Sequence, residues 1–299
     1  MNSATPQRTL ADWIRWTERH LRRAGLHFGH GTATALDEAA WLVGAALGHA
    51  PQEIEAHLDD RPTAAQLEKI RALVEQRITT RKPLAYLLQE AWFAGLKFYV
   101  DERVIVPRSL TGEFIQERFQ PWIDPARVRR VLDLCTGSGC MAIACARAFP
   151  AAAVDAADIS PDALAVARIN VERHGLRDRV RPIQSDLFAA LATERYDVIV
   201  TNPPYVAEAE MAALPPEHRH EPAVALVSGA HGLDAVTRIL AEAAVHLEPD
   251  GILVAEVGGA AAALQAAFPD TPFLWLATET GDESVFLLTA EQLAAHSGR

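Results

Sequence analysis

A chain of 299 residues, 49% of them hydrophobic, can build one large core or two modest ones. No apolar run in it reaches the ~20 residues that a membrane-crossing helix needs, which excludes the helical membrane classes. The formal net charge of −11 opposes unspecific attachment to nucleic-acid phosphates. It leaves a small-molecule site or a basic protein partner.

The first residues, Met1 to Trp13, lack a charged stretch followed by an apolar core, so no secretory signal is expected. Leu10, Trp13, Ile14, Thr17 and Leu21 recur at helical spacing behind a Thr9 cap and predict a helix ending near Ala24-Gly25. The glycine-punctuated stretch Leu26–Thr32 predicts a loop in which His27 and His30 face solvent. A second helix is expected from about Asp37 to Leu47. A third opens with the capping box Thr63–Gln66 and turns Leu67, Ile70, Val74 and Ile78 inward. No group of residues up to position 90 carries catalytic chemistry, so residues 1–90 are expected to form a helical domain for docking a substrate. Trp92–Val100 and Arg103–Val106 predict a β-hairpin turning at Asp101-Glu102, a connector over residues 91–107. Arg108 follows it, either as a plain surface charge or as a bidentate fork on a carboxylate.

From Val128 the pattern is α/β. Strands are predicted at Val131–Leu134, Ala153–Ala157, Val180–Ile183, Val198–Thr201 and Ile252–Glu256. Helical segments fall at Cys140–Phe149, Asp162–His174 and Leu233–Leu247. Alternation of this kind implies right-handed crossovers and a parallel sheet over residues 108–299. Phe273–Ala277 and Ser284–Thr289 lack a helix between them and predict an edge hairpin that adds an antiparallel strand. Cys135, Cys140 and Cys145 form no metal-binding or CxxC pattern and read as core residues of a reduced, cytosolic protein.

Two stretches carry chemistry. In Asp133-Leu-Cys-Thr136-Gly137-Ser-Gly139, a strand passes through a glycine turn into a helix whose free N–H groups face a ligand. Asp158 follows at the end of the next strand, where an acid accepts from ribose hydroxyls, and Asp186 closes the third strand. Gly137-x-Gly139-x-x-Ala142 also satisfies the dinucleotide fingerprint, so a nicotinamide cofactor is the competing reading. Asp133 tells against it, because a carboxylate there repels a pyrophosphate and suits the ammonium of S-adenosylmethionine. The second stretch is Asn202-Pro203-Pro204-Tyr205. Two prolines stop the strand and leave the Asn202 amide at its carboxyl end. The Asn202 oxygen and a Pro203 carbonyl can grip a planar NH2 group while Tyr205 covers its face.

DLCTGSG, ADISPDAL and IVTNPPYV resemble the class I methyltransferases, and specifically the N(5)-glutamine methyltransferase family. VPRS (Val106–Ser109), HEP (His220–Pro222), ALVSGAHGLD (Ala225–Asp234) and EVG (Glu256–Gly258) extend the likeness over nearly the whole chain. It implies a Rossmann-like α/β sheet preceded by a small helical domain and a β-hairpin. It also implies S-adenosylmethionine as cofactor, with contacts at Asp133, Thr136, Gly137, Gly139, Asp158, Ile159, Asp186, Leu187, Asn202 and Arg108. Catalysis falls to Asn202, Pro203 and Tyr205. One branch of the family modifies the GGQ glutamine of peptide-release factors, another a glutamine of the third protein of the large ribosomal subunit. Pro107-Arg108-Ser109 and AGLHFGHGT (Ala24–Thr32) are similar to the ribosomal-protein branch. Leu110-Thr111 departs from the Pro-Ile common there. The implied partner is a basic ribosomal protein, with no membrane and no sequence-specific nucleic-acid contact. Enzymes acting on exocyclic base amines share Asn-Pro-Pro-Tyr, but they need a basic groove that an acidic chain does not favour.

Overall fold

The structure, a computed structural model, describes residues 8–191, 193–278 and 281–297. It divides into two compact units, Met1–Glu90 with Pro215–His220, and Ala91–Leu214 with Glu221–Arg299.

The first unit is helical: α1 (Leu10–Arg23), α2 (Ala35–Leu47), α3 (Ala64–Thr80) and the short α4 (Leu84–Leu88). Each of the first three starts on a threonine whose hydroxyl accepts a backbone N–H three residues on, while that residue's side chain accepts the threonine's own N–H. The pair satisfies donors that a helix start otherwise leaves open. Because Thr34 and Asp37 form such a box, α2 begins at Ala35, ahead of the expected Asp37. The inward residues of α1 are those the spacing gave, while on α3 Ile70 and Val74 are buried and Leu67 and Ile78 half-buried. Arg77 on α3 is fully buried. Its Nε donates to Glu38 at 2.8 Å, and Arg81 donates to buried Glu217 at 2.7 Å. Glu217 also accepts the His27 amide at 3.0 Å.

His30 is buried and His27 half-buried, contrary to the solvent-facing loop expected of them. The cause is Pro215–His220, which belongs to this unit and sets the His218 ring 4.4 Å from that of His30 and 5.6 Å from that of His27.

The second unit opens with β1 (Ala91–Phe93) and β2 (Leu96–Phe98), paired antiparallel. The turn is Ala94-Gly95, both at positive φ, as a two-residue hairpin turn demands. The expected turn at Asp101-Glu102 does not join strands. Instead the Asp101 carboxylate accepts the Tyr99 hydroxyl and the Arg103 amide and guanidinium, and residues 99–110 run as an irregular strap. After it come α5 (Thr111–Gln116), β3 (Arg130–Leu134), α6 (Cys140–Ala148), β4 (Ala153–Asp158), α7 (Pro161–Arg173), β5 (Val180–Gln184) and β6 (Tyr196–Thr201). The chain then gives α8 (Asp234–Glu242), β7 (Leu247–Glu256), α9 (Ala261–Ala267), β8 (Leu274–Leu276), β9 (Val285–Thr289) and α10 (Ala290–Ser297).

One seven-stranded sheet results, in the order β5-β4-β3-β6-β7-β9-β8. Strands β3 to β7 are parallel, and β9 lies antiparallel between β7 and β8. The expected hairpin therefore contributes two strands, with β9 against β7. Successive residues of each strand feed opposite faces. Val131, Val198, Val200 and Val254 pack with α5 and α6, whereas Leu132, Ile199, Leu253 and Phe286 pack with α8 and α10. Burial on both faces explains why these strands are mostly apolar, interrupted by the buried Asp133 in β3 and the buried Asp155 in β4. The chain leaves β3 toward β4 and β5, then returns to the other side of β3 as β6. The gap that opens between the carboxyl ends of β3 and β6 is where open α/β sheets bind ligands.

Candidate active site

A cleft of about 310 Å³ lies at that gap. Its walls come from the β3–α6 turn, the ends of β4, β5 and β6, the strap at Arg103–Ile105 and the stretch from Pro222 to Arg238. Of the residues singled out from the sequence, Gly137, Asp158, Ile159, Asp186, Leu187 and Asn202 line it.

Asp158 is mostly buried, and burial holds its carboxyl above the usual range. Its Oδ2 accepts the Gly137 amide at 2.8 Å and its Oδ1 the Ser160 amide at 2.9 Å. Asp186 accepts Arg238 Nη1 at 2.9 Å, and both side chains stay half exposed. Ile159 and Val224 expose apolar side chains at the cleft wall, 51% and 55%. Cys135 lines the cleft with its thiol pushed far up by burial, so it stays neutral.

Asp133, Thr136 and Gly139 do not reach the wall. Asp133 is fully buried beneath the turn, and its Oδ2 accepts the Thr136 hydroxyl at 2.5 Å and the Ala142 amide at 2.8 Å. One first-turn N–H of α6 is thus used by the protein itself. Asp133 Oδ1 has no partner among the described residues, and burial pushes this carboxyl up to about 7. Gly139 caps α6 with φ 79°, and a Cβ there would stand 3.2 Å from that of Ala167.

Arg108 does form a bidentate fork, but on Glu221 of the same chain, at 2.5 and 2.9 Å. It does not line the cleft, because this internal carboxylate takes both of its terminal guanidinium nitrogens. Asn202 and Pro204 are on the wall. Pro203 is buried, and the Tyr205 ring lies against Gly258 just beyond β7. The Tyr205 hydroxyl is pushed up to about 12, by burial first and then by Glu256, so it remains a neutral phenol.

Several working residues had no signal of their own in the sequence. Asn170, fully buried on α7, accepts the Tyr99 amide at 2.7 Å and donates to the carbonyls of Tyr99 and Ser138 at 2.9 Å. It fastens the strap to the glycine turn. Glu256 accepts the Ser109 hydroxyl at 2.6 Å and the Leu110 amide at 2.8 Å, which holds the strap's far end. Pattern and spacing alone could not have found these, since each joins distant stretches of chain, although HEP and EVG marked Glu221 and Glu256 by likeness.

The cleft can take a cofactor that has a ribose and an apolar-faced ring. Asp158 and Asp186 supply acceptors, and Ile159, Leu187 and Val224 supply apolar wall. Asp133, the acid expected to meet an ammonium, is held beneath the turn and does not reach this cleft. This sheet order and this glycine turn define a class I methyltransferase. The fold agrees with the solved catalytic domain of hMettl16 in complex with MAT2A 3'UTR hairpin 6, at a TM-score of 0.51, 16% identity and coverage of 73% of this chain and 80% of that one. Residues 117–215 match the Methyltransferase small domain, and residues 12–88 the PrmC N-terminal domain. The chain is 48% identical to the ribosomal protein uL3 glutamine methyltransferase of Burkholderia pseudomallei, over 99% of both chains. It is 50% identical to the one of Bradyrhizobium diazoefficiens, over 95% of this chain and 92% of that one. With full-length likeness at this level, the chain belongs to the ribosomal protein uL3 glutamine methyltransferase family.

Proposed function

We propose that the protein methylates the side-chain nitrogen of a glutamine in ribosomal protein uL3, with S-adenosylmethionine as donor, in the cytoplasm. The observation that carries this reading is the position of Asn202, on the cleft wall at the carboxyl end of β6 and next to two prolines. Charge supports the partner. Residues 1–90 hold 11 acidic and 11 basic residues, so the whole net charge of −11 belongs to residues 91–299. An acidic catalytic unit attracts a basic ribosomal protein and repels nucleic acid. The helical unit then offers a neutral docking surface.

An amide nitrogen is a poor nucleophile because its lone pair is delocalised, and loss of that resonance costs on the order of 18–20 kcal/mol. When bound, S-adenosylmethionine supplies an electrophilic sulfonium methyl. The protein has to make the nitrogen able to use it. The Asn202 side-chain oxygen accepts one amide hydrogen and the Pro203 carbonyl the other. Both acceptors favour positive charge growing on nitrogen, and they cost no reorganisation because prolines fix the backbone. They also hold the nitrogen at the ~3–3.5 Å of a near-attack pose. Tyr205 packs on the amide plane as a neutral ring and keeps water away. The alkylated amide is a strong acid and gives up its extra proton to bulk water as the product leaves the cleft. Asp158 and Asp186 would hold the ribose and the ring, and Ile159 and Leu187 would supply the apolar wall beside them.

The test is incubation of the purified protein with labelled S-adenosylmethionine and uL3, followed by mass spectrometry. One added methyl on a uL3 glutamine is expected. Label found instead in release factors or in nucleic acid would overturn the substrate.

A further inference from the structure

The motifs ALVSGAHGLD and EVG both meet Tyr205, through Gly232 and Gly258. We infer that Gly258 is a positioning residue, the seat that sets the direction of the Tyr205 ring, while Gly232 and the Leu226–Ser228 stretch hold the same residue's backbone. The activity arm of this inference rests on the function proposed above.

A Cβ built on Gly258 would lie 2.5 Å from Tyr205 Cε2, 2.6 Å from Cζ and 2.9 Å from the hydroxyl oxygen. Those separations are far below van der Waals contact, so the hydroxyl edge of the ring rests directly on the Gly258 backbone. A Cβ on Gly232 would lie 2.2 Å from the Tyr205 carbonyl oxygen, so the main chain of this residue is met just as closely. The next residue is fixed as well. Val206 donates to the Leu226 carbonyl at 2.8 Å and its own carbonyl accepts from Ser228 at 2.9 Å, a parallel bridge of Val206 to Val227. The Ser228 hydroxyl in turn accepts the Ala235 amide at 2.8 Å, which anchors the stretch to the start of α8.

Asn202 and the Tyr205 ring are therefore set by one register. Thr201 of β6 pairs with Ala255 of β7. Asn202 is the next residue after the first, and Gly258 stands three beyond the second. Neighbouring strands of a packed sheet do not slide, so the amide of Asn202 and the ring of Tyr205 keep a fixed separation. A side chain at 258 must displace the ring or lift the whole 202–206 loop.

Four proteins decide this: wild type, Gly258→Ala, Tyr205→Ala and the double variant. They are compared in kcat and KM on uL3, in calorimetric affinity for S-adenosylhomocysteine and in melting temperature. Gly258→Ala is expected to lower kcat about tenfold or more while KM and affinity for S-adenosylhomocysteine stay within about threefold. In the Tyr205→Ala background the same change is expected to add less than about a twofold loss, because the ring it would strike is gone. The strain of alanine at φ 45° is common to both arms and cancels. Losses that multiply, or a Gly258→Ala enzyme with near-normal kcat, overturn the seat. If Gly258→Ala does not fold, the double variant is expected to regain a cooperative melt, and failure to do so overturns it equally. Should wild type not methylate uL3, the substrate reading falls, while the melting comparison still decides the seat.

Discussion

The amide of Gly137 donates to the Asp158 carboxylate at 2.8 Å, so the tip of the cofactor turn is fastened to the end of the neighbouring strand by the residue proposed to hold the ribose. One side chain thus serves the turn and the ligand together. Asp158→Ala removes a charged acceptor from two amides and from the ribose. Hydrogen bonds to charged groups contribute about 1.5–3 kcal/mol, so affinity for S-adenosylhomocysteine should fall roughly 10- to 100-fold. Isothermal calorimetry reads this directly. Asp158→Asn, which keeps one acceptor oxygen, should lose less. An unchanged affinity in both variants would remove Asp158 from the ribose.

Asn202 is predicted to behave in the opposite way. It sits at the end of β6 on the cleft wall, and the strand before it is anchored without its help, since Thr201 donates to the Leu134 carbonyl at 2.7 Å. Asn202→Ala should therefore leave the melting temperature nearly intact. Loss of one preorganised partner of the developing charge costs about 10²–10³ in kcat. Rapid-quench turnover with labelled donor checks this, and affinity for S-adenosylhomocysteine should stay within about threefold. Parallel collapse of turnover and melting temperature would make Asn202 structural.

What the sequence disclosed depended on how local each cause was. The parallel strands were legible because burial on both faces writes short, largely apolar runs such as Val131–Leu134, interrupted by Asp133, and Val198–Thr201. Asn202, Gly137 and Asp158 were legible because strand-end chemistry sits in the strand's own sequence. The hairpin turn was misplaced because Asp101-Glu102 has turn composition, while the real turn asks Ala94 to adopt φ 48°, which an alanine rarely does. The fork on Arg108 could be foreseen but not its partner, 113 residues away. The buried state of His30 was invisible for the same reason. It depends on Pro215–His220, whose Glu217 takes the His27 amide across 190 residues.

The Arg108–Glu221 pair gives a stability prediction. Glu221 is fully buried at its side chain and Arg108 about a quarter exposed. Arg108→Met alone removes both donors of the fork from the Glu221 carboxylate, which keeps the Val106 amide at 3.1 Å. Loss of hydrogen bonds to a buried charged group costs about 1.5–3 kcal/mol. Replacing both members by apolar residues removes the buried carboxylate together with the cation, so Arg108→Met with Glu221→Leu should be more stable than Arg108→Met alone. Urea unfolding of the three proteins measures the difference. A double variant no more stable than the single one would mean that the pair's fork does not govern this stretch.

Asp133 gives the pH prediction. Burial pushes its carboxyl up to about 7, against roughly 4 in the unfolded chain. Below about pH 4 both states hold the proton and the folded state has its full contribution from this group. As pH rises toward about 7, the unfolded chain gives up a proton that the folded chain keeps. Stability from this group then declines by about 1.4 kcal/mol per pH unit, and it levels off once the folded form also ionises. Asp133→Asn cannot titrate, and every other group is common to the two proteins. The unfolding free energy of wild type minus that of Asp133→Asn should therefore fall between roughly pH 5 and pH 7 and flatten above it. Denaturant titrations across that range provide the curve. A pH-independent difference would show that Asp133 is already ionised in the folded protein, with its buried Oδ1 compensated by some other donor.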